Sequence, residues 1–216
     1  MSNIILPGTN GTAPSNAQAE DAGEWGHQEF TAKPVMVCDL DQTLRYNKDD
    51  PEGFINEPEE IAFYDHVLDA IWRYRDDGWL PVIVSNQGGV AHGYMEKKDL
   101  DRQMNHMQAL AQEETEHGRG WPFLDTRFCM YDERAGDPMY GWRSMNRKPQ
   151  IGALALIEDR AKANAVIPKW DESVMIGDRP EDEELAERAG IEFWPAEEWR
   201  EAVRDKFQQE QTEANG

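Results

Sequence analysis

Between residues 34 and 195, short apolar runs alternate with segments whose apolar positions recur every three or four residues. "PVMVC" (34–38) reads as a buried strand. "EPEEIAFYDHVLDAIWRYRDDG" (57–78) predicts a helix, with Tyr64, Val67, Leu68 and Ile71 on one face and Gly78 as its stop. "LPVIV" (80–84) is apolar throughout, as in a parallel sheet covered on both faces. Residues 96–118 carry Leu100, Met104, Met107 and Ala111 at helical spacing, and "FLDTRFCMY" (123–131) is a weaker strand. A helix opened by proline follows over 149–165, then a buried strand, "SVMIG" (173–177). The helix expected over 181–190 crowds acids into its first turn, where the helix dipole favours them. "IEFWP" (191–195) is a last strand, followed by a short helix. The alternation predicts an α/β fold: a doubly wound, mainly parallel sheet with helices on both faces and no large cap domain.

The ends lack this pattern. Residues 1–32 are rich in Gly, Ala, Ser, Asn, Pro and acids and read as a mobile tail. One domain is expected over 33–204, and a frayed end over 205–216. At 216 residues the chain is long enough for one substantial core. No apolar run is long enough to cross a bilayer, and the first twenty residues lack the basic flank and apolar stretch of a signal peptide. Cys38 and Cys129 are the only cysteines and form no CxxC pair, so a reducing cytoplasm is the expected location.

Charge narrows the partners. Asp and Glu number 43 against 22 Lys and Arg, a formal net charge of −21. Such a surface is soluble and self-repelling at low salt; a salt-rich source and an ordinary acidic protein both account for it. Long-range attraction to nucleic acid or an anionic membrane is disfavoured, because phosphate binding normally needs a basic footprint.

In a doubly wound sheet, ligands sit outside the carboxyl ends of the strands. The first strand is followed by Asp39, Asp41 and Thr43, the second by Ser85, Asn86, Gln87 and the pair Gly88-Gly89. "NRKP", with Arg147 and Lys148, comes after the third strand, and "GDRPED", with Asp178, Arg179 and Asp182, after the fourth. Asp39 and Asp178 on neighbouring strand ends would make an oxygen-rich pocket suited to Mg²⁺. A carboxylate so placed can attack phosphorus. Ser85 and Lys148 would bind the transferring phosphoryl group, with Thr43, Asn86 and Gln87 beside them at the substrate. Asp41 is placed to protonate the leaving oxygen and then to activate water. Arg147 and Arg179 flank the site, as substrate contacts or as surface partners of the many acids.

Asp39-Leu40-Asp41-Gln42-Thr43, Ser85, Lys148 and Gly177-Asp178 with Asp182 resemble, in order, the four motifs of the haloacid dehalogenase superfamily of phosphohydrolases. "VSNQGGVAHGY", "RKP" and "GDRPEDE" are similar to the subgroup that holds histidinol-phosphate phosphatases, heptose-bisphosphate phosphatases and the 3′-phosphatase domain of polynucleotide kinases. The resemblance covers residues 34 to 195. It implies Asp39 as nucleophile, Asp41 as general acid/base, and Mg²⁺ held by Asp39, the Asp41 main-chain carbonyl and Asp178, with Asp182 supporting the metal site from behind.

Two departures stand out. Gln42 takes the place where glycine is usual in the family. Relatives often carry a zinc-binding loop ahead of "RKP", but residues 128–149 hold one cysteine and no histidine, so no structural zinc is expected. The function implied is a Mg²⁺-dependent phosphomonoesterase forming an aspartyl-phosphate, with a small phosphorylated metabolite as substrate. The alternative is a nucleic-acid 3′-phosphate end, which a basic patch around Arg143, Arg147, Lys148 and Arg179 would favour. A non-catalytic phosphate-binding module would have lost one of Asp39, Asp41, Lys148 or Asp178, and none is lost.

Overall fold

The computed structural model describes residues 29–214. The chain enters through β1 (Thr31–Lys33) and β2 (Val35–Cys38), then makes a hairpin of β3 (Arg45–Asn47) and β4 (Ile61–Phe63). Helix α1 (Val67–Asp76), β5 (Leu80–Asn86), α2 (Lys97–Glu114) and β6 (Asp125–Cys129) follow. The second half runs α3 (Gly152–Lys162), β7 (Val166–Pro168), β8 (Val174–Gly177), α4 (Pro180–Ala189), β9 (Glu192–Pro195) and α5 (Ala196–Ala214).

Five strands form one parallel sheet in the order β6-β5-β2-β8-β9. The pattern of the central strand explains why. Met36 and Cys38 pack on one face with Leu68 and Ile71 of α1 and Trp199 and Val203 of α5. Val35 and Val37 pack on the other with Leu154 and Ile157 of α3 and Leu185 of α4. Every residue of β2 is thus removed from water, as a strand covered on both sides requires. From β2 the chain winds outward to β5 and β6, then returns to β8 on the other side of β2. That reversal opens a crevice at the carboxyl ends of β2 and β8, where this fold class binds its ligands.

Three segments differ from expectation. Residues 57–78 do not form one helix: a short 3₁₀ turn over Pro58–Glu60 leads into β4, and α1 begins only at Val67. In Ile61–Phe63 the buried residues alternate with a half-buried one, a period of two that pairs antiparallel with Arg45–Asn47. The tail expected over 1–32 lies mostly outside the described residues, but Thr31 and Ala32 belong to β1, which pairs in parallel with β7. The short final helix and frayed end are instead one helix of 19 residues. Its far half is fastened because Phe207 is buried against the His66 ring and under the Arg73 guanidinium, 3.8 Å away, and Arg73 also pairs with Glu210 at 2.8 Å.

At the carboxyl edge the insertions are short: the β3–β4 hairpin, residues 87–96 and residues 130–151. None is a separate cap domain among the described residues. No helix among them is long and apolar enough to cross a membrane.

Candidate active site

Asp39 leaves the end of β2 with its N–H donated to the Ile176 carbonyl of β8 at 2.9 Å. Its carboxylate is buried and does not stand alone. The Lys148 ammonium donates to Asp39 Oδ1 at 2.5 Å and lies 2.6 Å from Asp182 Oδ1. All three side chains are at most 7% exposed. Burial alone would discharge the lysine, but the Asp39 and Asp182 carboxylates outweigh it and hold the ammonium above its ordinary value. Lys148 is brought there by its backbone. Its N–H donates to Asn86 Oδ1 at 2.9 Å, and Asn86 Nδ2 donates to the Lys148 carbonyl at 3.1 Å. Asn86, placed at the substrate by its position after the second strand, is committed instead to fixing the lysine segment against β5.

Asp178 follows β8, and Asp182 lies in the first turn of α4. Asp182 Oδ2 accepts the Arg179 N–H at 3.1 Å, so the carboxylate folds back over the end of β8. There it covers Gly177 so closely that a side chain at that position would collide with the Asp182 carboxylate. Carboxylate oxygens of Asp39, Asp178 and Asp182 all lie within 4.8 Å of one another. Burial and the Asp39 charge push Asp178 up to about 6 and Asp182 up to about 7. Crowded carboxylates that resist ionisation fit a hard divalent cation, whose charge would replace the missing protons. Asp39 and Asp178 are the more open donors for it, while Asp182, fully buried, accepts the Arg179 N–H through Oδ2 and lies 2.6 Å from Lys148 Nζ through Oδ1.

Asp41 is half-exposed, and its carboxylate is gripped from two sides. Arg45, whose guanidinium is buried, donates to Oδ1 at 2.8 Å, and Gln87 Nε2 donates to Oδ2 at 2.6 Å. Burial works against the Asp41 charge, but Arg45 and the two hydrogen bonds win and hold its pKa below the ordinary value. Gln87 Nε2 also donates to Ser85 Oγ at 3.0 Å, so one amide ties the acid to the buried serine. Thr43 is fully buried and donates to Asp178 Oδ1 at 3.4 Å. Gln42 between them has φ +61°, the left-handed conformation that glycine adopts freely and that a side chain resists. The glycine usual at this place in the family therefore answers a backbone requirement, which this chain meets with a side chain.

A cleft of about 350 Å³ opens beside Lys148, lined by Asn86, Arg134, Arg143, Arg147 and Glu181 among others. Buried Asp132 organises it, taking Arg134 at 2.7 Å, Arg147 at 3.0 Å and His92 at 3.3 Å. Those partners, Arg134 first, hold the Asp132 carboxyl far below the ordinary range. Arg147 thus faces the cleft, anchored also by donation to the Tyr131 carbonyl at 3.1 Å. Arg179 is mostly exposed, with its Nε 3.2 Å from Asp178 Oδ2. A second cleft, of about 490 Å³, lies on the Asp178 side, between Gln42, Arg179 and Arg200.

The model of the polynucleotide kinase 3 phosphatase family matches residues 34–199. The chain belongs to this family. Like other polynucleotide kinase 3 phosphatase relatives, it is a phosphatase of the haloacid dehalogenase type. Its sequence is 28% identical over 160 residues to the D-glycero-beta-D-manno-heptose-1,7-bisphosphate 7-phosphatase of Haemophilus ducreyi, covering 74% of this chain and 80% of the relative. A crystal structure of a HAD-like phosphatase from Mesorhizobium loti superposes with a TM-score of 0.60 at 27% identity, over 77% of this chain and 74% of the other. The D,D-heptose 1,7-bisphosphate phosphatase of B. bronchiseptica, complexed with magnesium and phosphate, shares the fold at a TM-score of 0.57 and 23% identity, over 75% of this chain and 79% of the other.

The structure of this polynucleotide kinase 3 phosphatase family member brings together Asp39, Asp41, Ser85, Lys148, Asp178 and Asp182, with Thr43, Asn86 and Gln87 tied among them. Arg147 and Arg179 stand at the rim on opposite sides. Three participants escaped sequence reasoning: Arg45, Asp132 and Arg200. The i,i+4 spacing of Asp41 and Arg45 is the one local signal that could have found a member of this set.

Proposed function

We propose that this phosphatase is a Mg²⁺-dependent phosphomonoesterase that works through an aspartyl-phosphate on Asp39 and takes a small phosphorylated metabolite of the sugar phosphate type. The observation that carries this is the buried Asp39 carboxylate, pinned by Lys148 at the crevice and crowded by Asp178. Asp39 and Asp178, with the Asp41 main-chain carbonyl, would hold Mg²⁺, whose charge would clamp a phosphoryl oxygen. An Asp39 oxygen attacks phosphorus as the ester P–O bond breaks, and the departing oxygen takes a proton from Asp41, which substrate binding must first release from Arg45 and Gln87 so that solvent can protonate it. Asp41 then takes a proton from water, whose oxygen attacks phosphorus, and the Asp39–phosphorus bond breaks to free inorganic phosphate. Lys148 and Ser85 stabilise the charge that develops on the phosphoryl oxygens. Asp182 steers Lys148 rather than the substrate.

Size and charge support the small substrate. The cleft beside Lys148, about 350 Å³, is at the lower end for small-ligand sites, roughly 300–1,000 Å³. Arg134, Arg143 and Arg147 around it suit a molecule with a second anionic group, as the names of the heptose-bisphosphate relatives describe for those proteins. The family description and the basic patch of Arg143, Arg147 and Lys148 at this cleft favour a second reading, a nucleic-acid 3′-phosphate end. Against it stands the net charge of −21, which repels a polyanion beyond the first bound nucleotides. A panel of sugar mono- and bisphosphates, histidinol phosphate and 3′-phosphorylated oligonucleotides, assayed with Mg²⁺ across salt, tests the substrate class. Higher kcat/KM on sugar phosphates is expected; preference for the oligonucleotides would overturn it.

A further inference from the structure

The turn that carries Asp41 is held from outside the motif that defines it. Arg200, one turn into α5, donates through NH1 to the Gln42 carbonyl and lies 3.4 Å from the Thr43 carbonyl. Its guanidinium lies over the Tyr64 ring, 4.1 Å from the centroid. Tyr64 in turn donates its hydroxyl to Gln42 Oε1 at 2.9 Å, and Gln42 Nε2 donates to the Pro51 carbonyl at 2.6 Å. Gln42 is thus gripped at its carbonyl by Arg200, at its N–H by the Arg45 carbonyl at 2.8 Å, and at its side chain by two other residues. The helix that delivers Arg200 does not yield, because its neighbour Trp199 and the next turn's Val203 are buried in the core. Residue 200 lies just past the stretch that the family model matches.

A side chain at φ +61° resists the left-handed conformation, and the turn would relax if nothing opposed it. Relaxation would displace two groups at once. Asp41 precedes Gln42, and Thr43, which donates to Asp178, follows it. We infer that Arg200 is a positioning residue for catalysis: with Tyr64 it clamps the Gln42 turn in its left-handed form and so fixes Asp41 and Thr43 against Asp39 and Asp178. The geometry assigns this to the guanidinium in particular: NH1 is directed at the two carbonyls while the planar group lies on the Tyr64 ring, a stacked contact that a compact ammonium does not reproduce.

The inference rests on the phosphatase chemistry of the site, which turnover of an aryl phosphate by the parent enzyme checks on its own. The test of Arg200 is the ratio of variant to parent. Arg200→Met should lower kcat on the order of 10- to 100-fold, the scale of a small misplacement of reacting groups, with KM changed by no more than about twofold. Arg200→Lys should recover only part of the loss. The coupling to Gln42 separates clamping from general packing: in a Gln42→Gly background, where the turn is left-handed without resistance, Arg200→Met should cost several-fold less. For Arg200→Ala, low millimolar guanidinium should restore kcat where equal NaCl does not, provided folding is confirmed by circular dichroism. Parent-like kcat in Arg200→Met would overturn the inference. So would an equal loss in both Gln42 backgrounds, or no response to guanidinium.

Discussion

One buried ammonium serves two carboxylates: Lys148 Nζ lies 2.5 Å from Asp39 and 2.6 Å from Asp182. The first acid sits at a strand end and the second on the helix behind it, so the lysine couples Asp39 to α4. Asp182 has no path to solvent and is useful here only through what it holds.

Asp182→Asn keeps the volume and removes the charge. It should leave the fold intact and lower kcat by about tenfold or more. Because Asp182 is pushed up to about 7, the asparagine resembles the form already present at pH 6. Only the parent takes up a proton in the folded state there, so its stability relative to the variant should rise as pH falls from 8 to 6, measured by urea denaturation with no added metal. A parent that loses stability relative to the variant toward acid would contradict the account.

The same carboxylates predict how the cation acts on stability. Asp178 at about 6 and Asp182 at about 7 bind protons more tightly in the folded than in the unfolded chain, where the ordinary value is 3.8. The metal-free protein should lose stability as pH rises from about 4 through 7. Mg²⁺ supplies the charge that protons no longer do, so the rise in Tm on adding it should be larger at pH 8 than at pH 5.5. Differential scanning calorimetry with Mg²⁺ against EDTA measures both slopes.

Asp132 has the opposite sign. Its carboxyl is held far below the ordinary range by Arg134, with His92 and Arg147 also contributing. The stability it contributes is present in full above about pH 4 and is lost as pH falls through its folded value. Asp132→Asn should lower stability at pH 7 by about 2 kcal/mol and flatten the acid limb of the stability curve. It should also raise KM for substrates with a second anionic group, because Arg147 loses its anchor. An unchanged acid limb would rule out the ion cluster as its source.

The central strands and the acids at their ends were legible in the sequence for one reason. Parallel strands buried on both faces must be apolar, as Val35–Cys38 and Val174–Gly177 are, so the first acid after each run marks the sheet edge. Gln42 was legible as a departure, but the cause, a positive φ, was not. What stayed hidden depends on partners far along the chain. Arg200 reaches Gln42 across 158 residues. Ile61–Phe63 was absorbed into a helix because three residues carry too little periodicity to declare a strand. The far half of α5 looked frayed because its anchor, Phe207, is one apolar residue in a polar stretch, and its partners Arg73 and His66 lie on another element.

The claim on which the rest depends is that Asp39 carries the phosphoryl group. Acid-quenching the enzyme within its first turnovers of an aryl phosphate with Mg²⁺, then mapping peptides by mass spectrometry, tests it directly. A phosphoryl group on Asp39, labile to hydroxylamine, and no turnover by a folded Asp39→Asn variant are the results expected. Phosphorylation of a different residue, or undiminished turnover by Asp39→Asn, would contradict the account.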